Sequence, residues 1–144
     1  MRLTSFTDFG LRALMRMASD PGRAFSTAKL AAELALSRHH LTKIMASLAQ
    51  AGIVITRRGS GGGARLGRPA DQITLGDVVR VLEHGQALVD CFAADGGTCS
   101  LNGQCRLKVR LQRAETAFLT ELERSTLADV ALPFIAVLPK PAQH

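Results

Sequence analysis

With 144 residues, 47% of them hydrophobic, the chain holds enough apolar material for one compact domain plus an appended element, but not for two full domains. Its apolar stretches are too short to span a bilayer, and the opening MRLTSFTDFGLRALMRMASD mixes charge with apolar residues and has no signal core, so a cytoplasmic protein without membrane contact is expected. The net charge of +6 is unevenly divided: eleven Lys and Arg face three Asp and Glu from Met1 to Ala70, and seven face nine from Asp71 to His144. The front half suits a polyanion such as DNA about as well as it suits a solvated basic surface.

Leu11, Leu14, Met15 and Ala18 recur at helical spacing and predict a first helix over Thr7 to Ser19, stopped by Asp20-Pro21-Gly22, with Asp8 in its first turn. A second helix is predicted from Thr27 to Leu34, capped by Ser26 or Thr27 and striped by Leu30, Ala31 and Leu34. After a tight break at Ala35-Leu36-Ser37, Ser37 caps a third helix. Its buried stripe is Leu41, Ile44, Met45 and Leu48, its polar face carries His39, Thr42 and Lys43, and Gly52 gives it a left-handed stop. Two short helices joined this tightly, the second with a polar face, form the pattern of a helix-turn-helix whose second helix enters the major groove.

Ile53-Val54-Ile55-Thr56 reads as a strand, Arg57 to Arg65 as a basic glycine-rich loop, and Leu66 onward as a return strand, together a wing. Its glycines let backbone approach phosphates, and its arginines can pair with phosphate or enter the minor groove. A nucleotide-binding glycine loop would need a helix directly after the glycines, and a P-loop would need a Lys-Ser/Thr pair; Arg65-Leu66-Gly67-Arg68-Pro69 stands there instead. The expected DNA-reading set is thus Thr27, Ser37, Arg38, His39, His40, Thr42 and Lys43 with Arg57, Arg58, Gly59 and Arg65 of the wing.

Thr74-Leu75-Gly76-Asp77 is a capping box with Asp in the Glu position, opening a helix through Val78, Val79, Val81 and Leu82 that ends near Gly85. Further on, Leu107, Leu111, Ala114, Phe118 and Leu122 predict a long helix whose stripe pairs with a second copy in a twofold dimer, the symmetry of a palindromic site. Pro133, Pro139 and Pro141 mark a tail expected to fray. The expected fold is mainly α with a small β-wing: a winged helix-turn-helix domain over residues 1–83, a cysteine-rich loop over 84–106, a dimerisation helix over 107–131 and a flexible tail over 132–144.

Between the last two helices, Cys91, Cys99 and Cys105 are separated by seven and five residues rich in glycine and turn formers. An odd number of thiols in a reducing compartment argues against a disulfide framework. Thiolates are soft ligands that suit iron–sulfur clusters and zinc, though the spacing is not that of a zinc knuckle, and three thiols leave a tetrahedral site one ligand short. Simple buried thiols are the other reading of the same residues. No nucleophile–base set, acid pair or nucleotide motif accompanies them, so no enzymatic activity is expected.

Taken in order, LTSFTDFGLRALMRMA, SRHHLTKIMASLAQAGIV, RRGSGGGARL, ITLGDVVRVLE and the three-cysteine segment resemble, over nearly the whole chain, the family of iron–sulfur winged-helix repressors that includes the nitric-oxide sensor NsrR and the cluster-assembly regulator IscR. The resemblance implies a homodimer on a palindromic double-stranded DNA operator. It also implies an iron–sulfur cluster, 4Fe-4S in preference to 2Fe-2S, held by Cys91, Cys99 and Cys105. The fourth ligand divides the family. Where IscR-type members carry a histidine, three residues after the last cysteine, this chain has Lys108, which cannot ligate iron while protonated. Asp8 matches the aspartate by which NsrR-type members reach the other subunit's cluster, although the helix dipole alone also favours an acid there; His84 is a lesser candidate. The nearer resemblance is to the nitric-oxide sensor, which implies a repressor that releases its operator when the cluster is nitrosylated or lost. A cluster-status, redox or iron-responsive regulator of the same family, or a zinc- or thiol-based one, is the alternative.

Overall fold

Among the described residues, four of the five α-helices begin at a hydroxyl that accepts a hydrogen bond from the helix's own first turn. Thr4 accepts from the Thr7 amide, Ser26 from Lys29, Ser37 from His40 and Thr74 from Asp77, and each satisfies an amide that would otherwise lack a partner. Asp77 returns the bond by accepting from the Thr74 amide at 3.2 Å, completing the capping box expected there. The computed structural model describes residues 2–132. Its elements are α1 (Ser5–Ala18), α2 (Thr27–Glu33), α3 (Arg38–Gln50), a hairpin of β1 (Val54–Arg57) and β2 (Gly63–Leu66), α4 (Leu75–Leu82) and α5 (Arg106–Glu123), with 3-10 turns at Ala70–Gln72 and Asp90–Phe92. This is the mainly helical, winged arrangement that the residue pattern predicts. From Pro133 on, the expected tail lies outside the described residues.

One hydrophobic core joins these elements. Leu14 and Met17 of α1, Leu30 of α2, Leu41, Ile44 and Leu48 of α3, Val54 and Ala64 of the hairpin and Val78 and Leu82 of α4 meet in it, together with Phe25, Ile73 and Leu127. Each fully buried leucine or isoleucine stabilises the fold by about 1.5–3 kcal/mol. Among the described residues, the core takes nothing between Leu82 and Leu127. Gly10 is where α1 crosses α3 and α4, and a β-carbon there would run into the Leu82 δ-methyl. The α2–α3 turn is closed by the Leu36 amide donating to the Ala31 carbonyl at 2.9 Å, which requires the left-handed backbone of Ala35, φ +53°.

The hairpin departs from expectation at its second strand, which begins at Gly63 and not at Leu66, pairing Arg57 with Gly63, Ile55 with Arg65 and Val54 with Leu66. The physical reason is Phe25. It forms a backbone bridge with Ala64, donating and accepting at 2.8 Å, and a β-carbon at position 63 would lie 2.8 Å from the Phe25 carbonyl oxygen, so only glycine fits. Beneath the bridge, Arg16 (4% exposed) donates to Glu33 at 2.9 Å and stacks on the Phe25 ring at 5.1 Å, while Arg23 donates to the other Glu33 oxygen at 2.9 Å and stacks at 4.6 Å. Helices α1 and α2 and the wing are thus fastened at one place.

Helix α5 covers the whole predicted stripe, Leu107 to Leu122, but stops at Glu123, short of the expected 107–131. The chain then doubles back: Asp129 accepts from the Thr126 amide at 2.7 Å and from its hydroxyl at 3.0 Å, Thr126 bridges to Thr74, and Leu127 enters the core. These hydrogen bonds hold the Asp129 carboxyl below the usual carboxylate range.

Candidate nucleic-acid interface and thiol segment

The capped start of α3 and the open end of the hairpin are both basic and exposed. Arg38, His39, His40, Thr42 and Lys43 are exposed on α3, as are Arg57, Arg58 and Gly59 at the hairpin's end, and among the described residues none of these cations pairs with a carboxylate. Unpaired exposed cations beside a helix N-terminus suit a phosphate backbone. Ser37 is committed as the cap, and the Thr42 hydroxyl donates to the Arg38 carbonyl at 2.8 Å, leaving its oxygen free to accept. The His39 and His40 rings stand 6.2 Å apart. Thr27 is half-buried in the first turn of α2. Arg65, expected in the loop, sits in β2 and donates to the Gly22 carbonyl, so its guanidinium helps anchor the hairpin.

The three thiols are free: Cys91 is half-buried in a 3-10 turn, Cys99 is exposed, and Cys105 is half-buried directly before α5. Two hydrogen-bonding residues that the residue pattern did not single out, Asp90 and Asn102, organise the segment. Asp90 accepts from the Thr98 amide at 3.1 Å, and Asn102 donates to the Gly96 carbonyl at 3.2 Å while accepting from Lys108 Nζ at 3.0 Å. Among the described residues, no three His, Cys, Asp or Glu gather closely enough to hold one metal ion. Three free thiols on a turn-rich backbone fit the soft-donor chemistry of an iron–sulfur cluster, which is wider than a single ion. Asp8, half-exposed on α1, is held by Arg12, with Nη2 to Oδ2 at 2.7 Å and Nε to Oδ1 at 3.2 Å. His84 is exposed just past α4.

Glu83 ties the end of α4 to the start of α1, accepting from the Thr4 amide and the Thr4 hydroxyl, each at 2.8 Å. Burial pushes its carboxyl up, but hydrogen bonds from the Thr7 hydroxyl and from Thr4 outweigh that and hold it below the usual range.

A family model described as "Rrf2: Iron-dependent Transcriptional regulator" matches residues 3–132. The chain belongs to the Rrf2 family. As an Rrf2 member it is a transcriptional regulator that binds DNA, and its solved relatives share the fold. CymR (YrzC), the global cysteine regulator of B. subtilis, is 29% identical, with a TM-score of 0.71 over 91% of this chain and 96% of its own. T. potens IscR is 26% identical, with a TM-score of 0.70 over 90% of this chain and 85% of its own. The oxidized form of Staphylococcus aureus CymR is 26% identical, with a TM-score of 0.69 over 91% and 96%. No helix among the described residues of this Rrf2 chain is long and apolar enough to cross a membrane.

Proposed function

We propose that this Rrf2 regulator is a homodimeric repressor that reads a palindromic operator through α3 and the hairpin, and that its thiol segment senses nitric oxide through an iron–sulfur cluster. The observation that carries the reading is the position of that segment. It leaves α4, which packs on both α1 and the DNA-facing α3, and it leads into α5, which packs back on α4. A change of shape between Cys91 and Cys105 thereby acts on the element that supports the reading helix, which is the differential contact that coupling between two sites requires. Cys91, Cys99 and Cys105 would hold the cluster, with Asp8 of the second copy as oxygen donor; when bound, such a cluster supplies iron that takes up nitric oxide. Asp8 is available for that role only by exchanging Arg12. The apolar residues that α5 leaves uncovered supply the dimer contact: Leu107 is 62% exposed and Val109 48%, while Phe118, Leu119 and Leu122 are partly covered.

A cluster-free regulator that responds through its thiols is a second reading, favoured by three free thiols on the described chain and by the likeness to a regulator solved in an oxidized form. Iron and sulfide content, visible absorption and operator affinity of anaerobically prepared protein, before and after nitric oxide, separate the two. Protein with neither iron nor sulfide, or with iron but a nitric-oxide-independent affinity, rejects the first reading. Metal-free protein whose affinity changes when its thiols are oxidised supports the second.

A further inference from the structure

The thiol segment is not slack between its cysteines. Asp90 and Thr98 each stand one residue ahead of a cysteine, and the Asp90 carboxylate accepts from both the Thr98 amide, at 3.1 Å, and the Thr98 hydroxyl, at 3.4 Å. Gly97 makes this closure possible: its φ is +63°, and a β-carbon there would lie 2.8 Å from Asp90 Oδ2. The Asp95 side chain steadies the same corner by accepting from the Gly97 amide at 3.0 Å. Further along, Asn102 reaches back to the Gly96 carbonyl and forward to Lys108, which lies in the first turn of α5. The segment is therefore stapled twice, once across its first half and once from its second half to the helix that follows.

The geometry points to Asp90, Asn102 and Lys108 as positioning residues for the thiols, which fold the segment before any metal or cluster arrives. The Asp90–Thr98 closure joins the residues directly before Cys91 and Cys99 and so limits how far apart those two thiols can lie. The Lys108–Asn102–Gly96 relay fixes the chain between Cys99 and Cys105 against α5. Lys108, standing where IscR-type relatives have a ligand, thus fastens the segment and needs no place among the ligands. Metal sites are seldom preformed, and ligand binding must then also supply the ordering. Here hydrogen bonds supply it in advance, as outer-sphere partners do at other metal centres. This deepens the reading of the segment as the sensing site, on which it rests.

Phenylarsine oxide tests it, because trivalent arsenic is captured tightly only by two thiols already close together, with release of water. Metal-free, full-length protein carrying Cys105→Ser is expected to bind one equivalent through Cys91 and Cys99. Asp90→Ala should weaken capture about tenfold, the lower end of what outer-sphere partners contribute at metal sites. Asp90→Asn keeps an acceptor oxygen and should restore most of it. With Cys91→Ser in place of Cys105→Ser, Lys108→Met should weaken capture by Cys99 and Cys105, and Lys108→Gln, still able to donate to Asn102, should recover it. These variants lie outside the hydrophobic core, and unchanged thermal unfolding of each confirms that the fold is intact. Capture by Asp90→Ala and Lys108→Met as tight as by their parents, or no capture by the parents, overturns the proposal. The cluster reading fails separately, through missing iron and sulfide in the wild-type protein, and does not decide this experiment.

Discussion

Replacing Glu33 with alanine would strand a guanidinium inside the protein. Arg16 is 4% exposed and depends on Glu33 for its carboxylate, and the other oxygen of that carboxylate holds Arg23. Breaking a buried pair from one side destabilises by about 3–5 kcal/mol, because the remaining charge is left uncompensated. Two features reduce the figure here: Glu33 is itself 26% exposed, so water reaches the site, and Arg16 keeps the Ser19 hydroxyl at 3.1 Å and the Phe25 ring. We expect Glu33→Ala to lose about 2–3 kcal/mol, a fall of roughly 6–9 °C in Tm for a chain of this length. Urea unfolding followed by circular dichroism should show a lower midpoint at an unchanged slope. Arg16→Met combined with Glu33→Leu removes both charges while keeping apolar bulk over Phe25, and should return to within about 1 kcal/mol of wild type. A Glu33→Ala loss under about 0.5 kcal/mol, or a double variant no better than the single, would show that Arg16 is adequately served without Glu33.

Ala35→Gly removes a side chain from a left-handed backbone (φ +53°), and should stabilise by about 0.5 kcal/mol in the same urea assay. Lys43→Ala should weaken operator binding and lower the slope of log affinity against log salt by about 1; an unchanged slope argues against a phosphate contact at that lysine. Glu83, whose folded pKa is lowered, stabilises the fold when ionised, and that contribution is present above its ordinary value of 4.5 and disappears as pH falls through the lowered one. Glu83→Gln should accordingly be less stable than wild type at neutral pH, with the gap closing in acid; parallel stability curves down to acid pH contradict it.

Much of the reading half was legible because its determinants are local. Ser26, Ser37 and the Thr74–Asp77 box announce helix starts within four residues, and the Leu41-Ile44-Met45-Leu48 stripe announces a face. What escaped depends on distant partners. Nothing around Arg16 says that it is buried; it becomes so because Phe25 and Glu33 arrive from other elements. Arg65 looks like a free wing cation until Gly63 is seen against Phe25, which draws the residues after it into a strand. The stripe of α5 ends at Leu122 as the helix does, but the expected extension to residue 131 fails because Ser125 and Thr126 bond to the chain around Thr74, a partner distant in sequence. In the thiol segment the cysteines were visible by type, whereas Asp90 and Asn102 gain their meaning only from the bonds they make, and the bond from Lys108 to Asn102 is equally invisible in the residue order.

The core that skips from Leu82 to Leu127 divides the molecule into two scales of stability. Between those residues α5 packs on the outside of α4, and the thiol segment before it adds nothing to the core, so that segment can reshape while the core beneath keeps its buried side chains. Opening that segment is then a sub-global event, requiring less free energy than unfolding the whole. A nick anywhere within it would leave two pieces still held together through Leu127. If the thiol segment is the sensor proposed above, reception of its signal and survival of the fold rest on different parts of the chain.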